Sequence, residues 1–240
     1  MKILAIDTSG QQAGAAIMDD YITIGEIVLN AQSGKGWHHS QILMPAIERL
    51  FALCGMELVD MDFVAYTSGP GSFTGLRIGS ATALGLARGI NKPAIPVPTL
   101  DALAYNILCT NDGTVVVPLM DARREQVYGA VYRKESTGLT RKTDYFACGI
   151  EEAVKLAGDM SEGANVVFLG DGASANMATI QVLCPAANLA PQNANRQRPA
   201  SVALCAFQQI KNSTPQAPGT EPVDIIYIRD PQAVRNQKKT

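Results

Sequence analysis

The chain has 240 residues, of which 47% are hydrophobic and 18% charged, and its net charge is −2 at neutral pH. This composition is typical of a globular protein with one large core or two smaller lobes. Twenty basic residues against twenty-two acidic ones argue against a protein that itself holds nucleic acid through a basic excess.

The cysteines and the apolar runs indicate the compartment. The five cysteines are widely spaced and form no C-x-x-C pair, which predicts neither a disulfide framework nor a zinc site. No apolar run approaches the roughly 18 residues of a membrane helix, and Asp7 interrupts the apolar start before a signal-peptide core forms. We therefore expect a cytoplasmic protein that does not enter the membrane.

The first part of the chain predicts a meander of three strands. Apolar runs at 2–6, 13–18 and 22–29 are separated by short polar segments, the first of which extends from Asp7 to Gly10. Runs of this length bounded by turn residues favour strands joined by tight turns.

A helix is predicted over residues 38–54, after the meander. Apolar side chains recur there at helical spacing, at Leu43, Ile47 and Leu50, and Gly55 provides a C-terminal stop.

A second helix opens from a glycine-rich loop. A predicted strand at 62–67 leads into the loop from Ser68 to Gly75, and the helix continues to about Arg88. Small residues repeat every four positions along this helix, which places them in one row. The row consists of Gly75, Gly79, Ala83 and Ala87. Such a row lets another element approach closely, either inside the same lobe or on a partner protein.

The proline-rich stretch 93–98 marks the predicted boundary between two lobes. We predict a first lobe at 1–98, a second at 99–222, and a C-terminal segment with a polar tail at 223–240. In the second lobe the predicted strands are 114–120, 125–132 and 165–169, and the predicted helices are 151–158, 173–183 and 200–211.

One unit of pattern occurs twice. Residues 3–18 and 115–131 each consist of an apolar strand, an aspartate (Asp7 or Asp121), a polar turn and a second apolar strand. The arrangement resembles the actin, sugar-kinase and Hsp70 superfamily, whose two aspartate-bearing turns line a nucleotide cleft. The expected fold is therefore α/β, two-lobed and actin-like (ribonuclease H-like), with a mixed β-sheet and flanking helices in each lobe.

The block Gly69-Pro-Gly-Ser-Phe-Thr-Gly-Leu-Arg-Ile-Gly79 resembles the signature of the TsaB (YeaZ) family. Further segments that are similar to this family are Ile6–Ser9, Pro98–Leu103, Asp121–Arg124, Val127–Tyr128 and Ile226–Asp230. The resemblance extends over nearly the whole chain and is weakest at 134–222.

The resemblance implies a role in making threonylcarbamoyladenosine at position 37 of tRNA. It implies a non-catalytic subunit that pairs with the catalytic paralogue TsaD, acts with the ATPase TsaE, contacts tRNA only through the complex and forms a homodimer in isolation. The interface residues expected on this basis are Leu43, Ile47, Leu50, Gly69, Pro70, Gly71, Ser72, Phe73, Thr74, Gly75, Leu76, Arg77, Gly79 and Ala83.

The histidines separate this chain from the paralogue, which resembles it but carries a His-x-x-x-His metal pair on a helix. Histidines at i and i+4 share one helix face. This chain has only His38 and His39, and neighbouring residues on a helix point about 100° apart. We predict no metal site and no catalytic residue, and we interpret both histidines as exposed polar residues at a helix start.

A degenerate nucleotide cleft is the remaining expectation. Its candidate residues are Asp7, Thr8, Ser9, Asp121, Gly170 and Gly172. The second turn offers Ala122 and two arginines in place of glycines, which does not favour a close backbone approach to phosphate. We expect no required cofactor and leave weak binding of ATP or ADP open. The alternative function is that of an ATP-dependent kinase or ATPase of the same fold.

Overall fold

The computed structural model describes residues 1–30, 38–212 and 225–228. The chain divides into two compact units. Unit 1 comprises Met1–Ala102 and Gln197–Ile226, and unit 2 comprises Leu103–Arg196 and Tyr227–Thr240. A short helix, α3 (Thr99–Ala104), lies where the chain passes from the first unit to the second.

Unit 1 contains a five-stranded sheet of order β3-β2-β1-β4-β5. Its strands are β1 (Lys2–Asp7), β2 (Gln12–Asp19), β3 (Ile22–Asn30), β4 (Phe63–Thr67) and β5 (Ala94–Val97). The first three strands form the predicted antiparallel meander, whereas β4 and β5 run parallel to β1. The carboxyl ends of β1, β4 and β5 therefore meet at one edge, where Asp7 lies.

Helices cover both faces of this sheet, which is why β1 and β2 are almost continuously apolar. The helices α1 (His39–Cys54) and α2 (Phe73–Gly89) pack on one face in a shared core with Leu4, Ile17 and Val64. One more helix packs on this sheet: α7 (Pro199–Asn212) contacts β1 and β2. Consecutive side chains of a strand point to opposite faces of the sheet. In β3, Ile27 packs toward α1 and α2, whereas the neighbouring Glu26 side chain accepts the Ala200 N–H. Helix α7 therefore lies on the opposite face.

Local signals set the ends of the two adjacent helices. At the start of α1 the Gln41 side chain accepts the His38 N–H at 3.3 Å, and the helix ends at Gly55 in the left-handed conformation. At the start of α2 the Ser72 hydroxyl accepts the Gly75 N–H at 3.2 Å. Both helices lie where the sequence predicted them.

Unit 2 contains a seven-stranded sheet with the path β10-β7-β6-β11-β12, from which β8 and β9 branch. Its strands are β6 (Val115–Asp121), β7 (Val127–Gly129), β8 (Tyr132–Glu135), β9 (Gly138–Arg141), β10 (Phe146–Cys148), β11 (Val166–Leu169) and β12 (Asn188–Leu189). Its helices are α4 (Ile150–Ser161), α5 (Asp171–Ala175) and α6 (Met177–Leu183). Phe168 and Leu119 lie at the centre of the core.

The structure corrects the predicted second lobe. Helix α7 was assigned to the lobe at 99–222, but it packs on the sheet of unit 1. The predicted strand at 125–132 is two strands, β7 and β8, which pair with different parts of β6. The predicted helix at 173–183 is interrupted at Asn176. Of the C-terminal segment at 223–240, only 225–228 is described, and there the Ile226 N–H donates to Ser68 O at 2.8 Å.

Within the described residues, no helix combines the length and the apolar character that a bilayer crossing requires.

Candidate functional site

The first hairpin turn in unit 1 is buried, and its two hydroxyl groups form hydrogen bonds within the unit. Asp7 is 3% exposed, and its Oδ1 accepts the Ser9 N–H at 2.8 Å and the Ser9 hydroxyl at 2.7 Å, with Thr67 Oγ1 at 3.3 Å. The Thr8 hydroxyl donates to Gly75 O at 2.7 Å. Burial raises the pKa of Asp7, and the hydrogen bonds from Ser9 oppose that shift. Both turn hydroxyls are thus already used as donors.

The glycine-rich loop before α2 covers this turn. The Ser72 N–H donates to Ser9 O at 2.7 Å. A Cβ at Gly71 would collide with Ser9 O, and a Cβ at Gly75 would collide with Thr8 O. The glycines therefore allow the loop to lie directly on the turn. Asp7, Thr8 and Ser9, which the sequence predicts to line a phosphate site, do lie together. In this unit, however, Thr8 and Ser9 form hydrogen bonds with the glycine-rich loop.

The row of small residues on α2 faces inward. A Cβ at Gly79 would collide with Thr8 Oγ1, and both Ala83 and Ala87 are buried in the core of unit 1. The prediction that Gly75, Gly79 and Ala83 contact a partner is therefore wrong. Periodicity identifies a row of small side chains, but it does not say which side of the helix meets the sheet.

Several other predicted interface residues are also inside unit 1. The buried ones are Leu43, Ile47, Leu50, Gly69, Pro70 and Leu76. Those on the surface are Ser72, Phe73, Thr74 and Arg77, and Gly71 is half-buried. The apolar side chains of α1 that the sequence marked as a contact face form the core with the sheet, because an amphipathic helix buries its apolar stripe in its own lobe first.

The outward surfaces of α1 and α2 carry exposed apolar, aromatic and arginine side chains. On α1, Met44 and Leu53 are exposed, Leu53 to 64%. On α2, Phe73 is 40% exposed and the Arg77 guanidinium carbon lies 3.9 Å from its ring centroid. Aromatic and arginine side chains of this kind are enriched among the residues that dominate binding energy at protein interfaces.

A second row of small residues lies on the outside of α2. Ala81, Gly85 and Gly89 follow Arg77 at intervals of four, and all three are exposed. A Cβ at Gly85 or Gly89 would meet no described atom within 4 Å. This outward row leaves a shallow path along which a second helix can approach the backbone. We call the exposed surface of α1 and α2 defined by Met44, Leu53, Phe73, Arg77, Ala81 and Gly85 the outer helix face.

His39 is a residue whose surroundings the sequence did not predict. His38 is exposed as expected, but His39 is half-buried, and its Nδ1 would lie 3.0 Å from a Cβ at Gly75. A positive charge on His39 would favour the ionised form of Asp7, which lowers the pKa of Asp7 slightly against the effect of burial. No sequence signal connects residues 39 and 75, because tertiary packing alone brings them together.

The second hairpin turn, in unit 2, has an unusual backbone. Asp121 Oδ1 accepts the Arg123 N–H at 2.7 Å, and the Asp121 carboxylate lies 3.4 Å from the Arg123 guanidinium. Arg123, Arg124 and Glu125 all have left-handed φ angles, of 63°, 54° and 58°. Residues other than glycine adopt this conformation at a cost of about 1 to 2 kcal/mol each.

Gly170 and Gly172 lie beside this turn at the end of β11. Gly170 has a φ of 103°, and Cβ atoms at the two positions would press on the backbone of Leu119 and Met120. Between them, Asp171 Oδ1 accepts the Asp121 N–H at 3.1 Å and the Gly172 N–H at 2.9 Å. Desolvation raises the pKa of Asp171. The three candidates Asp121, Gly170 and Gly172 are therefore neighbours within unit 2.

Within the ranges 1–30, 38–212 and 225–228, no three side chains of His, Cys, Asp or Glu converge in a way that would hold an ion.

Known proteins similar to this chain agree on one family. A family model described as "TsaD: tRNA N6-adenosine threonylcarbamoyltransferase" matches residues 33–236. The tRNA threonylcarbamoyladenosine biosynthesis protein TsaB of Escherichia coli K12 is 36% identical over 139 residues, 58% of each chain. The Bacillus subtilis 168 protein of the same name is 36% identical over 55% of this chain and 56% of its own length. The matched segment thus spans little more than half the length of these curated relatives.

Solved structures give the fold. YeaZ from Pseudomonas aeruginosa is 21% identical, with a TM-score of 0.75 over 91% of this chain and 96% of the other. A ROK hexokinase from Thermus thermophilus is 14% identical, with a TM-score of 0.51 over 89% of this chain and all of the other. These likenesses confirm the predicted actin-like α/β fold. Because the family model matches most of its residues, the chain belongs to the family that this model describes.

Proposed function

We propose that this chain is a non-catalytic subunit in the synthesis of threonylcarbamoyladenosine at position 37 of tRNA, and that it binds and activates the catalytic paralogue TsaD. In this proposal the ATPase TsaE acts on the same complex, and tRNA contacts this chain only through it. The relatives named TsaB, at 36% identity, are the observation that carries the proposal.

The outer helix face is the surface we propose for TsaD. It combines exposed apolar side chains, the stacked pair Phe73 and Arg77, and the small residues Ala81 and Gly85. A paralogue of the same fold offers an equivalent pair of helices, so the two can pack face to face. An isolated chain would pair with a second copy through the same self-complementary patch.

The burial of the first hairpin turn supports a subunit that requires no cofactor. Thr8 and Ser9 donate to Gly75 O and Asp7, and the loop from Gly69 to Gly75 lies on them. A kinase or ATPase of this fold would need these groups for phosphate. We therefore propose that no group of unit 1 takes part in weak binding of ATP or ADP.

The test is the level of the modified base in cells. Depletion of the chain is expected to lower threonylcarbamoyladenosine in digested tRNA, measured by mass spectrometry, while synthesis of the threonylcarbamoyl adenylate precursor continues. Re-expression of the wild-type chain should restore the level, and Gly85→Leu should not. Gly158→Leu is the matched control, since Gly158 is also an exposed helical glycine in open space, on α4 of unit 2. Normal levels of the modified base after depletion would refute the proposal.

A further inference from the structure

Unit 1 contains an apolar groove between the strand β3 and the helix α1. Its volume is about 500 Å³. The strand contributes Ile27 and Leu29 to the lining, and the helix contributes Ile42, Pro45 and Ala46. A concave surface lined mostly by apolar side chains is typical of a binding site. None of these residues belongs to the outer helix face, so the proposed function leaves the groove without a role.

The strand wall of the groove repeats at every second residue. Ile27 and Leu29 line it, and Gly25 continues the same side of the strand, since a Cβ there would meet Leu50 and Cys54 of α1. An extended chain has the same period of two residues. A segment that runs beside β3 can therefore place alternate side chains in the groove, whereas the 3.6-residue period of a helix does not match this spacing.

The backbone of β3 is open on the side away from β2. Among the residues that the structure describes, β2 is the only strand that pairs with it, and β3 stands at the end of the path of the sheet. Alternate residues of such an edge strand turn their N–H and C=O groups outward. With nine residues, β3 is long enough to pair with a strand of the usual length, about five residues. An extended segment would thus gain backbone hydrogen bonds in addition to apolar contacts.

One charged side chain lies on the lining of the groove. This is Arg49, which is exposed, and in the described part of the chain no carboxylate forms a salt bridge with it. The other polar side chain of the lining, Gln41, accepts the His38 N–H at 3.3 Å. A guanidinium pairs with a carboxylate in both charge and geometry. An acidic residue on the ligand would therefore complement the groove.

We infer that this groove binds an extended segment of a partner protein, which pairs with β3 as a further strand. Apolar side chains at alternate positions of the segment enter the groove, and an aspartate or glutamate meets Arg49. The inference goes beyond the proposed function and does not rest on it. Binding is measured on this chain alone, whereas the proposed function is measured by the modified base in cells, so either can fail while the other stands.

Fluorescence anisotropy of a dye-labelled peptide, titrated with the full chain, tests the inference. The probe is Thr-Val-Thr-Val-Thr-Glu with both ends blocked, whose valines and glutamate share one face when the peptide is extended. The anisotropy should rise to saturation, and a peptide with lysine in place of glutamate should bind more weakly. Arg49→Gln should weaken binding of the glutamate peptide roughly 1.5- to 5-fold, the effect of one exposed ion pair. Lys155→Gln is the matched control, because Lys155 is an exposed basic residue on α4 of unit 2.

Two further peptides test the strand pairing itself. One carries N-methyl groups on the backbone of the threonines and the other on the valines. Alternate N–H groups of a strand point to opposite sides, so only one of the two peptides should lose binding.

Four results would overturn the inference. They are no rise in anisotropy with the glutamate peptide, equal binding of the glutamate and lysine peptides, equal loss in Arg49→Gln and Lys155→Gln, and equal effects of the two methylation patterns. Displacement of the peptide by hexanoate at a lower concentration than by unlabelled peptide would also overturn it, because the groove would then be a site for small apolar carboxylates.

Discussion

At the scale of single residues, Asp7 is the most informative side chain. It is buried, its Oδ1 accepts hydrogen bonds from Ser9 and Thr67, and its Oδ2 is buried without a hydrogen-bond partner among the described residues. A carboxylate in this position is costly when ionised, because burial removes its hydration. Asp7 therefore acts mainly as the acceptor that shapes the turn.

The raised pKa of Asp7 gives a pH-dependence. Since the folded chain binds the proton more tightly than the unfolded chain, whose aspartates titrate near ~3.9, stability falls as pH rises through the window between that value and the raised pKa. Asp7→Asn removes the titration. Urea unfolding at a series of pH values should show that the wild type loses more stability than Asp7→Asn as pH rises from about 4. Parallel curves for the two proteins would contradict the prediction.

The left-handed turn at Arg123 to Glu125 gives a second prediction. Glycine adopts a positive φ without the clash of a Cβ, so Arg124→Gly should raise the free energy of unfolding by roughly 0.5 to 1 kcal/mol after the loss of chain entropy is included. Lys155→Gly in α4 replaces an exposed basic residue of the same unit in right-handed helix. That control should lose roughly 0.5 to 1 kcal/mol. Chemical denaturation of both variants checks the opposite signs.

At the scale of elements, the two rows of α2 have opposite roles. The inner row of Gly75, Gly79 and Ala83 lets the helix lie against the first hairpin turn, and the outer row of Ala81 and Gly85 is open. The same spacing of small residues thus serves close packing within unit 1 on one side and leaves an accessible helix backbone on the other.

Alanine substitutions separate the two rows. Gly79→Ala should destabilise the chain by about 1 to 3 kcal/mol, because the added methyl group overlaps Thr8 Oγ1. Gly85→Ala should stabilise it by about 0.5 to 1 kcal/mol, since only helix propensity changes in open space. Thermal melting of both variants, at concentrations where the chain is monomeric, measures the difference. Equal shifts would mean that the rows are not distinguished by packing.

At the scale of the whole molecule, we expect one surface to serve two assemblies. If the outer helix face binds both a second copy and TsaD, the homodimer and the heterodimer exclude each other. Sedimentation of the chain with increasing TsaD should then convert homodimer to heterodimer without a larger species. A stable complex that contains two copies of this chain in contact through α2 together with TsaD would contradict this expectation.

The affinity of these assemblies is expected to depend on Gly85. A leucine there adds bulk where two helices approach, and overpacking of about 1 to 3 kcal/mol corresponds to roughly 5- to 150-fold weaker association. Calorimetry should show this loss for Gly85→Leu with TsaD and with itself. Gly158→Leu should associate like the wild type. Wild-type affinity in Gly85→Leu would exclude the outer row from the interface.

The sequence by itself determined the local structure of most of the chain. Periodicity and turn residues located the meander, α1 and α2, because these elements are fixed by contacts between residues near in sequence. The loop signature from Gly69 to Gly79 also identified the family. The sequence did not show which strands the helix at 199–212 covers, because an apolar stripe on a helix can pack against any sheet.

Only the tertiary structure decided the orientation of each face. It turned the row of Gly75 and Gly79 toward Thr8, brought His39 beside that row, and buried Asp7 under the loop. It also revealed the outer row at Ala81 and Gly85. The physical reason is that a repeat of four residues places side chains on one side of a helix, whereas burial depends on the position of the sheet, which is set by contacts between residues distant in sequence.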